Sequence, residues 1–141
     1  MDVRLSRDDV VYIKRPLYDI EASLGVIEEV VFKEEASLVD RYALRYAIVE
    51  IVESLVAISH CIARAMGYPL EGYVDSMRFF SRAGVLDRDV VEGLVRLVRL
   101  RNIIVHRYWE VDDRRVMEEA RSGGLEVIKR AIDGIHRFIE G

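Results

Sequence analysis

The segment of residues 46–62 constrains the fold most strongly, because nearly every position in it is apolar. Such a segment has to be covered on most of its sides, as a central helix or a helix shared between a core and a dimer interface would be. Glu50 and Glu53 are the two carboxylates that interrupt it, and they need partners if they are buried. Two interpretations stay open: an acid pair that orients Arg101 or holds a metal, or structural salt bridges to arginines on neighbouring helices.

Apolar residues recur at helical spacing before this segment as well. A first helix is predicted after Ser6, which resembles a capping box together with Asp9, and Pro16 should kink this helix or mark a restart. The central helix is predicted over residues 37–66, and Gly67 ends it. The apolar series of the first helix is Val10, Ile13, Leu17, Ile20, Leu24, Ile27 and Val31.

Three further helices are predicted downstream. They cover about residues 70–83, 88–108 and 113–139, and the last one should kink or break at Gly123 and Gly124. Large side chains in the first of these three stand at helical spacing, and they are assigned to the core rather than to a base-stacking surface. They are Tyr73, Met77 and Phe80.

The whole pattern predicts an all-α fold, an up-and-down four-helix bundle with a short additional helix, formed as a single domain by residues 1–141. The net charge of −4 argues against a general nucleic-acid coat. However, 18 of the 21 basic residues are arginine, which suits forked contacts to phosphate or carboxylate. Charged residues 1–7, the lone Cys61 and the lack of a run of ~18 uninterrupted apolar residues favour a cytoplasmic protein without a membrane anchor.

Residues 101–108 form the candidate active site, because polar groups capable of phosphate chemistry interrupt an apolar helical segment there. Arg101 suits contact with phosphate, since a guanidinium is forked and always charged. His106 suits proton transfer, since an imidazole changes its charge near neutral pH. Asn102 can orient the imidazole, bond the substrate or cap the local backbone.

The helical spacing of these residues predicts how they face each other. Arg101 and Tyr108 are seven residues apart and share a helix face, while Asn102 and His106 share a neighbouring one. Arg101 and His106 are separated by about 140° around the helix axis, so they cannot both face one small substrate on a regular helix. A homodimer whose two-fold axis lies beside this helix would bring an arginine and a histidine from two subunits into one cleft.

The pattern Arg-Asn-x-x-x-His-x-Tyr, formed by Arg101, Asn102, His106 and Tyr108, resembles the signature of the HEPN superfamily, and the tyrosine is similar to that of its HepT branch. The resemblance covers roughly residues 8–120. It implies a small helical endoribonuclease toxin that uses neither metal nor cofactor, with RNA as substrate and a cognate minimal nucleotidyltransferase antitoxin as partner. Arg101 and His106 would be catalytic, and Asn102 would support them. Outside the motif it rests on Gly67-Tyr68-Pro69, Tyr73, Phe79-Phe80 and Gly84-Val85-Leu86.

The resemblance also implies that Tyr108 accepts an adenylyl group from the nucleotidyltransferase, whose negative charge would compete with RNA phosphate at Arg101. A buried structural tyrosine is the alternative for this position. For the whole protein, the alternatives are a non-catalytic HEPN module that binds nucleotide or RNA as a scaffold for its partner, and a purely structural helical dimer. His60 lacks ligands at zinc spacing and is assigned to packing or the surface, and His136 is assigned to the surface.

Overall fold

The computed structural model describes residues 5–141, and within this range the chain is almost entirely helical and has no β-strand. Residues 1–4, part of the charged N-terminal segment considered above, lie outside the described residues. A 3₁₀ turn and a π-helical segment separate the later helices. The elements are α1 (Arg7–Val31), α2 (Leu38–Ala65), α3 (Gly72–Arg82), α4 (Arg88–His106), the 3₁₀ turn (Tyr108–Glu110), α5 (Asp113–Glu119), the π-helical segment (Ala120–Gly124) and α6 (Leu125–Glu140).

The two long helices, α1 and α2, both begin with a capping box. Ser6 accepts a hydrogen bond from the backbone N–H of Asp9 at 3.0 Å, and the Asp9 carboxylate accepts one from the Ser6 N–H at 2.9 Å. Ser37 and Asp40 repeat this capping box with the same distances at the start of α2. Each box satisfies backbone donors that a helix N-terminus leaves unpaired, and the predicted box at Ser6 is confirmed.

Helix α1 does not restart at Pro16, so that part of the prediction is wrong. The helix runs without interruption from Arg7 to Val31 although the proline ring removes one backbone donor. Buried Ile13 and Leu17 flank Pro16 and hold the helix against the core on both sides of it. Packing of the apolar face therefore outweighs the lost hydrogen bond.

Helix α2 is the centre of the bundle, as its apolar composition predicted. Helix α1 packs along it, α3 and α4 pack on it, and α6 packs on α1 and α4. The buried residues form one continuous core, and Cys61 is buried in it. The all-α helical bundle is confirmed. The largest fully buried side chains are Phe79, Phe80, Ile13, Leu17, Ile20, Leu44, Ile51, Leu55, Ile58, Ile62, Met77 and Leu94.

Helix α2 is also long and apolar enough to pass a test for membrane spanning, with a mean hydropathy of 1.6 in its most apolar window. However, 61% of that window is buried inside the bundle, and the core helix of a folded protein meets the same criteria. It was the only helix within residues 5–141 to do so. The apolar surface of α2 is thus largely used for packing against the other helices.

The last predicted helix is divided, as its two glycines indicated. Helix α5 ends at Glu119, and the π-helical segment carries the chain to α6. Gly123 leaves helical geometry, with φ 165° and ψ −24°. The predicted break at Gly123 and Gly124 is therefore confirmed, and it turns a single predicted helix into α5 and α6.

Candidate active site at the end of α4

The candidate motif lies across the C-terminal end of α4 rather than inside the helix. His106 is the last residue of α4, and Arg107 adopts φ −138° and ψ 49°, which ends the helical geometry. Tyr108 then opens the 3₁₀ turn. The prediction that the helix extends to Tyr108 is wrong by two residues, and Arg101 and Tyr108 consequently do not share a helix face.

Arg101 is held by a network that joins α4 to two other helices. Its Nη2 donates to Glu53 Oε1 on α2 at 2.9 Å, and its Nη1 donates to the side-chain oxygen of Asn102 at 3.0 Å. Only 14% of the Arg101 side chain is exposed, against 45% for Glu53. The guanidinium is thus largely enclosed, while the carboxylate beside it is open to solvent.

Tyr73 of α3 completes this network. The Arg101 guanidinium carbon lies 4.4 Å from the centre of the Tyr73 ring, which is cation–π distance. The Tyr73 hydroxyl donates to the Glu53 carboxylate at 2.9 Å and accepts from Arg101 Nη2 at 3.3 Å. Burial raises the pKa of Tyr73, and the hydrogen bond to Glu53 raises it further, so the phenol keeps its proton at neutral pH.

The assignment of Tyr73 to the core is only half right. Met77 and Phe80 are fully buried, as predicted, but Tyr73 is half-buried and brings a polar hydroxyl to Arg101. A sequence signal for this role exists, because Tyr73 is the only one of the three with a polar tip, and such a tip needs a partner when it is buried. Its partners lie on other helices and are distant in sequence.

One donor of Arg101 remains without a hydrogen bond among the described residues. Nε of Arg101 is buried and has no partner there. A buried donor without a hydrogen bond lowers the stability of the folded state, and here that donor belongs to a residue of the motif itself. The side-chain oxygen of Asn102 accepts a hydrogen bond from Arg101, and no bond joins Asn102 to the imidazole of His106.

His106 is exposed at the helix terminus. Within residues 5–141 it makes no side-chain hydrogen bond or salt bridge, and Val105 beside it is 42% exposed. The imidazole is therefore accessible to a substrate from solvent.

Tyr108 is exposed as well, so the alternative of a buried structural tyrosine does not hold. Its side chain is 62% exposed, and its ring meets Trp109 edge to face with centroids 5.3 Å apart. The phenol oxygen of Tyr108 has no hydrogen-bond partner among the described residues.

The other polar residues considered from sequence separate into different environments. Glu50 is half-buried and has no salt bridge within the described residues, so only Glu53 of the predicted acid pair contacts an arginine. His60 is exposed, with Nε2 3.3 Å from the Ser76 hydroxyl. His136 contacts Glu21 at 2.8 Å, far along the chain from the motif.

The candidate motif lies outside the apolar cleft that adjoins α4. A mostly apolar cleft of about 430 Å³ lies between α4 and the junction of α5 with α6, but its lining contains neither Arg101 nor His106. Among residues 5–141, no group of three or more His, Cys, Asp or Glu side chains is arranged to hold a metal ion. The chemistry that the described side chains offer here is proton transfer and phosphate binding.

An all-helical bundle with this motif at the end of its fourth helix defines the class of HEPN-type proteins. The sequence profile of the ribonuclease HepT-like family matches residues 18–135, and the chain belongs to that family. A protein of Archaeoglobus fulgidus that is provisionally named an RNase is 28% identical over 130 residues, which cover 90% of this chain and 95% of the relative.

Similar solved structures show the same fold. A toxin–antitoxin crystallised with AMP-PNP has a TM-score of 0.80 at 18% identity, over 89% of this chain and 98% of that chain. A tri-AMPylated HEPN toxin of Shewanella oneidensis in complex with an MNT antitoxin has a TM-score of 0.77 at 20% identity, over 89% and 97%. The cytosolic protein YutE of Bacillus subtilis, of unknown function, has a TM-score of 0.78 at 15% identity, over 91% and 88%.

Proposed function

We propose that this protein is a metal-independent endoribonuclease toxin that cleaves RNA with Arg101 and His106 and acts in the cytoplasm. The observation that carries the proposal is the pairing of an accessible imidazole at the end of α4 with an arginine that the same helix presents five residues earlier. Membership of the ribonuclease HepT-like family supports the choice of RNA as substrate. The A. fulgidus relative agrees with it by its name.

The reaction needs two proton transfers and stabilisation of negative charge. The ribose 2′-oxygen loses its proton and bonds to phosphorus, and the bond from phosphorus to the 5′-oxygen breaks as that oxygen gains a proton. His106 serves these proton steps, and Arg101 neutralises the charge that builds on the phosphorane. The product would be a 2′,3′-cyclic phosphate and a free 5′-hydroxyl, which requires no water in the first step.

A homodimer supplies the geometry that one chain lacks. Arg101 and His106 point about 140° apart around α4, so one substrate cannot contact both of them on the same helix. A two-fold axis beside α4 would place His106 of one subunit opposite Arg101 of the other. Catalysis would then depend on the dimer, and dilution below its dissociation constant would remove activity together with association.

We further propose that a cognate nucleotidyltransferase silences the enzyme by adenylylating Tyr108. The exposed phenol oxygen would attack the α-phosphorus of ATP, forming an O–P bond as pyrophosphate leaves and the phenolic proton is lost. The structures of similar fold include a tri-AMPylated HEPN toxin in complex with an MNT antitoxin, which supports this assignment. An adenylyl group two residues from His106 would add negative charge and bulk where RNA phosphate has to bind.

The catalytic assignment is tested by replacing His106 with alanine. The variant His106→Ala should lose RNA cleavage and toxicity while its thermal unfolding midpoint stays that of wild type, because the residue is exposed and its imidazole makes no side-chain hydrogen bond or salt bridge within residues 5–141. His136→Ala is the matched control, since that histidine is on α6 and distant from the motif. Full cleavage by purified His106→Ala would refute the assignment.

The regulatory assignment is tested by intact mass and peptide mapping after incubation with ATP, magnesium and the nucleotidyltransferase encoded beside this chain. Wild type should gain adenylyl groups on the peptide that contains Tyr108 and lose RNA cleavage. Tyr108→Phe should remain unmodified and active, whereas Tyr46→Phe, which changes another exposed tyrosine, should still be modified. Modification elsewhere, or unchanged cleavage after modification, would contradict the proposed switch.

If wild type free of contaminants binds RNA or nucleotide and never cleaves RNA, the non-catalytic scaffold is the correct function instead. One observation is compatible with that outcome. Three of the five N–H groups of Arg101 already bond side chains of its own bundle, which gives the arginine a structural role as well. The activity assay of the wild type separates the two functions directly.

A further inference from the structure

We infer that Glu53 and Tyr73 are positioning residues, which hold the Arg101 guanidinium in the orientation that it uses on the RNA phosphate. This inference rests on the proposed function and deepens it. Three helices meet at this point, because Glu53 belongs to α2, Tyr73 to α3 and Arg101 to α4. The orientation of the arginine is therefore a property of the assembled bundle, and no single helix determines it.

The contacts fix two independent degrees of freedom of the guanidinium. The Tyr73 ring, whose centre lies 4.4 Å from the guanidinium carbon, confines the position of the group. The bond from Nη2 to Glu53 at 2.9 Å confines its rotation. Long side chains such as arginine lose considerable entropy when they are ordered, and here the bundle has ordered the side chain before substrate arrives.

The Tyr73 hydroxyl couples the two contacts. It donates to Glu53 and accepts from Arg101, so a shift of either partner disturbs the other. The raised pKa of Tyr73 keeps this hydroxyl protonated, which the donation to Glu53 requires. Removal of the hydroxyl alone should therefore loosen the network without removing the stacking.

The network leaves donors for a substrate. A guanidinium carries five N–H groups. Glu53, Tyr73 and Asn102 engage three of them, two on Nη2 and one on Nη1. Nε is buried, so the second N–H of Nη1 remains as the donor for an incoming phosphate oxygen. The positioning pair thus selects which edge of Arg101 meets the RNA.

The same arrangement predicts a distinctive kinetic signature. The negative charge of Glu53 partly neutralises Arg101 and repels phosphate, so its removal does not weaken ground-state binding. Its removal does release the guanidinium from the orientation that the transition state needs. Glu53→Gln should lower kcat about tenfold or more while KM stays unchanged or falls, a combination that a loss of stability would not produce.

Matched variants separate the parts of the network. Glu50→Gln is the control for Glu53→Gln, because Glu50 is one helical turn away and makes no salt bridge within residues 5–141. Tyr73→Phe retains the ring and loses the hydroxyl, and Tyr73→Leu loses both. We expect kcat to fall in the order wild type, Tyr73→Phe, Tyr73→Leu, and Glu50→Gln to match wild type.

A double variant tests whether Glu53 acts through Arg101. In an Arg101→Ala background, Glu53→Gln should cause no further loss of cleavage, because the group that it positions is absent. An equal loss in both backgrounds would overturn the inference. Wild-type kcat and KM in Glu53→Gln, together with wild-type kcat in Tyr73→Leu, would also overturn it and would leave the proposed ribonuclease function intact.

A measurement independent of cleavage completes the test. Rotation about the Nε–Cζ bond of Arg101, followed by ¹⁵N NMR and assigned by its loss in Arg101→Lys, should be slow in wild type and in Glu50→Gln. It should be fast in Glu53→Gln and Tyr73→Leu. Rotation that is slow in wild type and fast in Glu53→Gln and Tyr73→Leu would support the positioning of Arg101 even if wild type proves unable to cleave RNA. Free rotation in wild type would overturn the inference.

Discussion

Two of the arginine–carboxylate pairs that join α2 to later parts of the chain differ in how completely they are closed. Arg45 bonds Asp113 through Nε and Nη2, with both distances 2.8 Å. The side chains are only 22% and 9% exposed, so this pair is largely removed from water. Every oxygen of the Asp113 carboxylate has a guanidinium partner, and the pair connects α2 to the start of α5.

The pair of Arg101 with Glu53 uses the same chemistry in an open form. A single bond at 2.9 Å joins them, Glu53 is 45% exposed, and Nε of Arg101 is unpaired within residues 5–141. A guanidinium that bonds its carboxylate through two nitrogens has few N–H groups left for a ligand. A guanidinium that bonds its carboxylate through one nitrogen keeps more of them. The comparison teaches that the extent of pairing with the carboxylate, rather than the presence of an ion pair, distinguishes Arg101 from Arg45, and the incomplete form is the one that the proposed role of Arg101 requires.

The largest expected effect is on catalysis and concerns the open pair, Arg101 with Glu53. Arg101→Ala should reduce RNA cleavage about 10²–10³-fold, as the loss of one preorganised donor to a developing oxyanion commonly does. Steady-state cleavage of a fluorogenic RNA measures this loss. Arg45→Ala is the contrasting variant, and whatever fraction of it remains folded should cleave at the wild-type rate. Equal catalytic losses in both variants would remove the distinction between the two pairs.

The next largest effect is on the free energy of unfolding and concerns the closed pair, Arg45 with Asp113. Asp113→Ala should lower the free energy of unfolding by about 2–3 kcal/mol, because it leaves the guanidinium of Arg45 partly buried without its partner. Glu53→Gln should change it by less than about 1 kcal/mol, since partly exposed pairs contribute little. Urea unfolding followed by circular dichroism measures both. A greater loss of stability in Glu53→Gln would show that the open pair is structural.

The smallest effect comes from the pair that Lys33 forms with Asp40 of the α2 capping box. The hydrogen bond from Lys33, followed by that from the Ser37 backbone, lowers the pKa of Asp40. Because the folded pKa lies below the unfolded one, this contribution to stability is present above about pH 4 and is lost as the pH falls through the folded pKa. Lys33→Met should raise the pKa of Asp40 toward its ordinary value, as measured by NMR titration.

The capping box at Ser6 provides the control for that titration. The pKa of Asp9 is lowered chiefly by the Ser6 backbone bond, and Lys33 is not among its causes. The pKa of Asp9 should therefore be the same in wild type and Lys33→Met. A parallel rise at both aspartates would indicate a general change in net charge rather than the loss of one partner.

Prediction from sequence succeeded where the signal is local. The capping box at Ser6, the break at Gly123 and Gly124, and the apolar face of α1 depend on residues within a few turns of each other. It failed where competing local signals were resolved by packing. Pro16 did not interrupt α1, and no residue in the sequence signals that α4 ends at Arg107.

The candidate site divides in the same way. The motif of Arg101, Asn102 and His106 could be read from their spacing alone. The sequence did not show that Tyr73 contacts Arg101, or that Glu53 rather than Glu50 does so. Tyr73 and Glu53 are 28 and 48 positions from Arg101 in the sequence, yet both form hydrogen bonds with it. Only the crossing of α2, α3 and α4 determines which carboxylate and which hydroxyl reach the guanidinium.

The sequence by itself determined an all-helical chain, a central apolar helix and a motif with the groups needed for phosphate chemistry, because helical periodicity and residue chemistry are local properties. The tertiary structure alone decided that His106 ends its helix, that Tyr108 is open to solvent and that Arg101 bonds Glu53 through Nη2 alone. The physical reason is that burial and side-chain pairing depend on which helix faces pack together. The local sequence of one helix does not specify which distant helix it contacts.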